Sequence, residues 1–361
     1  MRNAYFRRPV PVSVLLVLTA VAPAFAANTR RQNPPIQLGT SGGSVNASSS
    51  STCCAGTLGS LVSRDGVLYI LSNNHVLARS TPVGTNIIQP GLADNNCSTN
   101  HVNTVATFQG DFVPLGNNVD AAVARVISGQ VQTSGAILGL GTPCSSTAVP
   151  SVGLPVIKAG RTTGTTIGVV QAIDLSATVQ YVTQCGSTTT FTESYTNQIA
   201  ITPPTFSNGG DSGSLILTNT STNNRHPVGL LFAGNADVTI ANPISDVVAA
   251  FQAGGHTFSF VGKTCATAIV SPDRLLTGPS LAEVEHTRWI KKDHESELFA
   301  QNGVIGVGVG RMSDREDETE AAIIVYVKSN GGVSLPRGLK IPQEIDGVKV
   351  RVILSDPFIA R

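Results

Sequence analysis

The sequence predicts an all-β body followed by a small α/β domain, on three grounds. Residues 45 to 262 hold short β-branched or alternating runs, among them LGSLV, VLYILS, VATFQ, DAAVARV, TIGVVQAID, NQIAIT, GSLILT and HPVGLLFAG. Turn residues such as Arg64-Asp65-Gly66, Asn117-Asn118 and Asn208-Gly209-Gly210 separate them, a spacing that favours a barrel or sandwich. Aromatic residues make up only 5% of the chain while Ser, Thr, Asn and Gly abound, which suits short strands joined by tight turns. Charge then changes abruptly: residues 270 to 361 hold 14 acidic and 12 basic residues, against 9 and 12 in the preceding 269, so a second domain starts near 270.

In chain order, Arg2, Arg7 and Arg8 precede the apolar run VSVLLVLTAVA and the small-residue pattern Ala24-Phe25-Ala26, which reads as a signal peptide (1–26) cut after Ala26. The run is too short for a bilayer span of about 20 residues. Residues 27 to 44, with RQNPP and GTSGGS, read as a linker. The strand region ends in one helix, NPISDVVAAFQAGG, with Val247, Val248 and Phe251 on one face. Ser280 followed by Glu283 is a capping-box signature for a second helix, which Asn302-Gly303 stops. VIGVGVG, AAIIVYV and VKVRVIL then read as strands. The glycines at 306, 308 and 310 alternate along a strand face and lack G-x-G-x-x-G spacing, so no nucleotide loop is expected.

A net charge of +1 gives no reason to expect nucleic acid or an anionic membrane as partner of the mature chain. Oligomeric state is left open. The six cysteines, Cys53, Cys54, Cys97, Cys144, Cys185 and Cys265, follow a signal peptide and predict up to three disulfides in a secreted or periplasmic protein. Adjacent Cys53 and Cys54 are expected to reach different distant partners. No pair has C-x-x-C spacing, and His286 and His294, eight apart on one helix, lack a third ligand, so neither metal nor cofactor is expected.

The stretch SNGGDSGSLI (207–216) sets an acid and a serine between glycines. Ser212 is a poor nucleophile unless a base takes its proton, and a histidine of near-neutral pKa suits that task. His75 follows the strand run LYILS through Asn73-Asn74, whereas His101, His226 and His256 read as solvated loop residues. A neutral histidine base needs an orienting carboxylate. Asp120 has apolar or small neighbours on both sides, while Asp94 and Asp111 stand in polar, turn-like contexts and Asp174 trails its strand. A turn at Gly209 and Gly210 lets the amides of Gly210 and Ser212 converge as an oxyanion hole, with Asp211 fixing the turn.

GDSGS (210–214), NNHVLA (73–78) and VDAAVA (119–124) resemble the chymotrypsin-like (trypsin-fold) serine proteases of bacterial secreted type in the order His, Asp, Ser, at intervals of 45 and 92 residues. KAGRTTGTTIGVV (158–170) looks like the hairpin that opens the second barrel, and VGLLFAG (228–234) resembles the strand that lines the specificity pocket and pairs with the substrate backbone. The resemblance implies two antiparallel six-stranded β-barrels with a cleft between them. His75 would be general base then acid, Asp120 its orienter and Ser212 the nucleophile, through an acyl-enzyme. Phe206, Phe232, Ala233 and Gly234 would contact substrate. An α/β-hydrolase elbow, G-x-S-x-G, fails because position 214 is Ser. No cysteine adjoins His75, and no activation sequence near position 36 supplies Asp211 with a newly cut N-terminus.

The position six before Ser212, which would carry an acid in a protease selecting Arg or Lys, is Phe206, so cleavage after uncharged residues is expected. His226 is a second possibility, as a group that binds an acidic side chain. The competing reading is a catalytically inactive binding module on the same fold. Residues 270 to 361 show no catalytic constellation and read as a small α/β accessory domain.

Overall fold

The structure, a computed structural model, describes residues 28–266, 278–315, 318–329 and 338–360. The expected signal peptide and the start of the expected second domain at 270 lie outside them.

The first barrel is built from β1 (Thr40–Ser44), β2 (Gly56–Leu58), β3 (Ser60–Arg64), β4 (Val67–Ser72), β5 (Asn86–Gln89), β6 (Asn103–Phe112) and β7 (Ala122–Val126). The antiparallel order runs β3-β4-β7-β6-β5-β1-β2. β2 and β3 are one strand interrupted at Gly59, whose amide still bonds Leu71 O at 3.0 Å, so the sheet closes on itself with six strands. A turn of helix, α1 (Asn74–Leu77), follows β4. The second barrel uses β8 (Pro155–Gly160), β9 (Gly164–Val182), β10 (Thr190–Thr202), β11 (Leu215–Thr218), β12 (Pro227–Gly234) and β13 (Thr239–Pro243). Its order β10-β13-β12-β11-β8-β9 is closed by the β9–β10 pairing. Two antiparallel six-stranded barrels are thus present, as the resemblance implied.

Period-two alternation explains how the barrels fill and why they adhere. Leu61, Ile70, Ala122 and Ala124 fill the first interior. Val156, Ile216, Val228 and Leu231 fill the second. The intervening residues Val62, Leu71, Val123, Ile157, Leu215 and Leu217 pack between the barrels with α2 (Ile244–Gln252) and β14 (Phe258–Phe260). Strands buried on both sides read as continuous apolar runs such as LILT. The seam also brings the end of β4, the start of β7 and the turn before β11 to one place.

Two sequence expectations need correction. Residues 27 to 44 are not a linker over their full length: Thr40–Ser44 is β1, buried throughout, and Ile36 and Leu38 are wholly buried. The small residues reflect crowding rather than slack, since a Cβ on Gly42 would lie 2.4 Å from Leu58 Cγ. Nor does the C-terminal part keep a sheet of its own. After α3 (Leu281–Phe299), capped by the Ser280–Glu283 box, come β15 (Val304–Arg311), β16 (Ala321–Lys328), β17 (Glu344–Ile345), β18 (Val348–Ser355) and β19 (Phe358–Ala360). α3 packs on β15 and β16 through Ile290, Leu298, Val307 and Ile323. β15 pairs antiparallel with β9, which makes one sheet with the second barrel. A Cβ on Gly310 would lie 2.6 Å from Gln171 O, so a glycine is what lets those strands meet.

Three disulfides join Cys53 to Cys97, Cys54 to Cys185 and Cys144 to Cys265. Adjacent cysteines do take different partners, and Cys54–Cys185 ties the first barrel to the β9–β10 hairpin. Among the described residues no helix is long and apolar enough to cross a membrane.

Candidate active site

His75 stands on α1 directly after β4 because Asn73 and Asn74 anchor that corner. Asn73 Nδ2 donates to Asp120 O at 2.7 Å, and Asn74 Nδ2 donates to Val113 O at 2.7 Å. Both asparagines are buried, and bonds of this kind are costly to lose once buried. The polar pair therefore locks the corner after β4 to the segment between β6 and β7.

Asp120 is fully buried, and its Oδ2 lies 2.6 Å from His75 Nδ1. Its Oδ1 accepts the His75 amide at 3.2 Å, and Oδ2 also accepts the Tyr181 hydroxyl at 3.0 Å. Burial, reinforced by the Asp120 charge, holds the Tyr181 phenol well above its ordinary pKa, so it remains a donor. The Asp120 amide donates to Asn242 Oδ1 at 3.1 Å. A carboxylate this well supplied with donors keeps a buried charge at tolerable cost. The other acids weighed are engaged elsewhere: Asp94 with Arg161, Asp111 with Arg64, Asp174 with Lys291 and Arg288.

Ser212 sits in the turn before β11 and is wholly buried, and its Oγ donates to Phe232 O at 3.2 Å. Gly213 has φ +91° and a Cβ there would lie 2.2 Å from Thr57 O, so only glycine fits behind the serine. Among the described residues, the amides of Gly210 and Ser212 have no acceptor within the chain, the condition an oxyanion hole requires.

Asp211 shapes this turn. Fully buried, it accepts from Thr162 N (2.8 Å), Thr163 N (3.1 Å), Thr163 Oγ1 (2.7 Å) and Asn208 N (2.9 Å). Its counter-charge is Lys158 on β8, also fully buried, with Nζ 3.5 Å from Oδ2. Burial pulls the Lys158 pKa down to about 8, with Asp211 opposing. The folded protein therefore releases this proton near pH 8, whereas the unfolded chain holds it to the ordinary lysine value of 10.5. Between those values the unfolded state binds more protons at this group, so its contribution to stability rises with pH and is flat below pH 8. Urea titrations from pH 7 to 10.5 should show that rise in the wild type, and Lys158→Arg, whose guanidinium keeps its proton, should lack it.

The expected substrate contacts separate. Ala233 and Gly234 continue β12 beside Ser212, and the Phe232 ring packs on Tyr195 with centroids 4.9 Å apart and planes tilted by 50°. Phe206 is wholly buried in the second barrel's interior, under the Lys158 ammonium at 5.9 Å. His226 is buried at the far end of β12, bonded to Ser146, six residues and about 20 Å of strand from Phe232. It is too distant to bind a side chain beside Ser212. A cleft of about 430 Å³ opens between the barrels, with His75, Arg79, Arg161, Gly210, Cys54 and Ala360 in its wall.

Sequence reasoning missed Lys158, Tyr181 and Arg161. Lys158 carried a signal, a single cation inside the apolar run PVIKAG. Tyr181 carried none, since a tyrosine late in a long strand is an ordinary core residue.

A family model, the Nal1 C-terminal domain, matches residues 88–242, a span that includes Asp120 and Ser212 and begins after His75. No curated protein matches the chain. Among solved structures, a glutamic-acid-specific serine protease described as using a histidine triad in substrate binding is similar at TM-score 0.42 and 19% identity, over 62% of this chain and 100% of its own. Thermobifida fusca protease A is similar at TM-score 0.42 and 19% identity, over 63% and 99%. The Nocardiopsis protease is similar at 0.41 and 17%, over 62% and 98%. Each likeness is one of fold.

Proposed function

We propose that the chain is a secreted or periplasmic serine endopeptidase. The reading rests above all on the 2.6 Å contact between His75 Nδ1 and the buried Asp120, at the wall of a cleft that Gly210 also lines. Asp120 keeps the proton on Nδ1, leaving Nε2 as the base. As Ser212 Oγ attacks a peptide carbonyl, His75 takes its proton and later passes it to the leaving amine. The Gly210 and Ser212 amides receive the developing oxyanion, and water then hydrolyses the acyl-enzyme. Three disulfides support an oxidising compartment.

The preferred substrate presents an uncharged residue before the scissile bond. Between Glu193 and Asp237 the only charges are Asp211 and Arg225. Asp211 is spent on Lys158 and the turn, which leaves no acid to receive a basic side chain. Residues 270 to 361 act as an accessory or regulatory domain.

One observation favours the binding-module reading: Ser212 Oγ is bonded to Phe232 O and is inaccessible in this state. Incubation of the purified protein with unfolded casein separates the two. Cleavage after uncharged residues that disappears in Ser212→Ala is expected; equal cleavage by the mutant, or a profile dominated by Arg and Lys, would overturn the mechanism or the preference respectively.

A further inference from the structure

β12 pairs with β11 only as far as Leu230, and the Leu231 backbone then bonds Gly213 and Ser214. Beyond that, the edge from Phe232 to Gly234 leaves β11 and runs past the serine. An open strand edge beside a nucleophile is where an extended peptide adds by backbone hydrogen bonding. Here the edge is filled. β19 pairs antiparallel with it, Ala360 opposite Ala233 and Ile359 opposite Gly234, and pairs in parallel with β9 on its other side.

Three further contacts hold β19 in place. Phe358 is 1% exposed and meets Tyr326 edge to face at 5.5 Å. Asn235, the residue after β12, donates through Nδ2 to Ser355 Oγ at 2.6 Å and Asp356 O at 2.5 Å. Ala360 reaches the cleft wall that His75 shares. Ser212 and Ala233 are wholly buried in this state.

We infer that the chain's own segment Asp356–Ala360 is a ligand of the substrate groove and holds the site closed, an inference that rests on the proposed endopeptidase reading for its consequence but not for its occupancy. A substrate strand and β19 require the same backbone groups of Ala233 and Gly234, so one excludes the other. A short tether holds its strand at an effective concentration on the order of millimolar, so a groove that binds the free peptide with Kd about 100 µM is filled about ten to one.

A chain ending at Phe358 retains the buried ring and loses the residues opposite Ala233 and Gly234. It should cleave casein about tenfold faster than the full chain, by the same arithmetic. The peptide LSDPFIA should reverse that gain and should bind the shortened Ser212→Ala form by fluorescence anisotropy. Ile359→Pro in the full chain is the companion variant: Ile359 is 46% exposed, so its loss leaves the core intact while removing an amide from the strand. Equal rates for the full chain, the shortened chain and Ile359→Pro, with no peptide binding, would overturn the inference and leave the endopeptidase reading standing. Peptide binding to the shortened Ser212→Ala form, with no hydrolysis by any active form, would support occupancy and overturn the endopeptidase reading instead.

Discussion

Replacement of Asp120 by Asn is expected to lower kcat by about 10⁴-fold while the protein stays folded. The substitution keeps the shape, the Asn73 amide keeps the backbone carbonyl of residue 120, the His75 amide keeps an oxygen at Oδ1, and the Tyr181 hydroxyl can turn to donate to Tyr195. What changes is the group facing His75 Nδ1. A carboxylate oxygen at 2.6 Å demands a proton on Nδ1, whereas an amide NH₂ there demands a lone pair. The proton then moves to Nε2, and the ring cannot accept the one on Ser212. Steady-state kinetics beside a thermal melt check this, and activity within tenfold of wild type would mean that Asp120 only fills space.

The second large effect lies away from the reacting atoms. Lys158→Met should destabilise the protein by about 1–3 kcal/mol, because it removes the Nζ donor, charged or neutral, from the buried Gly164 carbonyl and from Asp211. Four hydrogen bonds remain on that carboxylate, from Thr162, Thr163 and Asn208, and they solvate it only in part. The loss is read from urea denaturation in a Ser212→Ala background, which prevents self-digestion. A change below about 1 kcal/mol would show that the hydrogen bonds alone hold the turn. Part of the loss should return when Asp211→Asn is added, since the two charges form one unit.

Legibility in the sequence followed burial. Runs such as VLYILS and DAAVARV could be read because one face of each fills a barrel and the other packs on its neighbour, so hydrophobicity records the fold directly. The capping box at Ser280 and Glu283 was equally readable, being local chemistry. The positions of His75, Asp120 and Ser212 in the fold were readable because their neighbours mark strand ends. β1 was not readable. Its Gly42 answers to Leu58, a contact that only the folded barrel creates. β5 and β19 are four and three residues long and take their conformation from the edges they join. The β9–β15 pairing, which joins the C-terminal strands to the second barrel, is long-range and leaves no mark on either segment. Lys158 fell between these cases, visible as an oddity but meaningless until Asp211 stood beside it.

The most direct measurement is the mass and position of a fluorophosphonate adduct on the folded protein, taken on the full chain and on the chain ending at Phe358. A single adduct on Ser212, slower in the full chain and lost in His75→Ala, is the predicted result. An adduct elsewhere, or one on Ser212 that forms equally fast without the imidazole, would contradict the claim that His75 activates this serine.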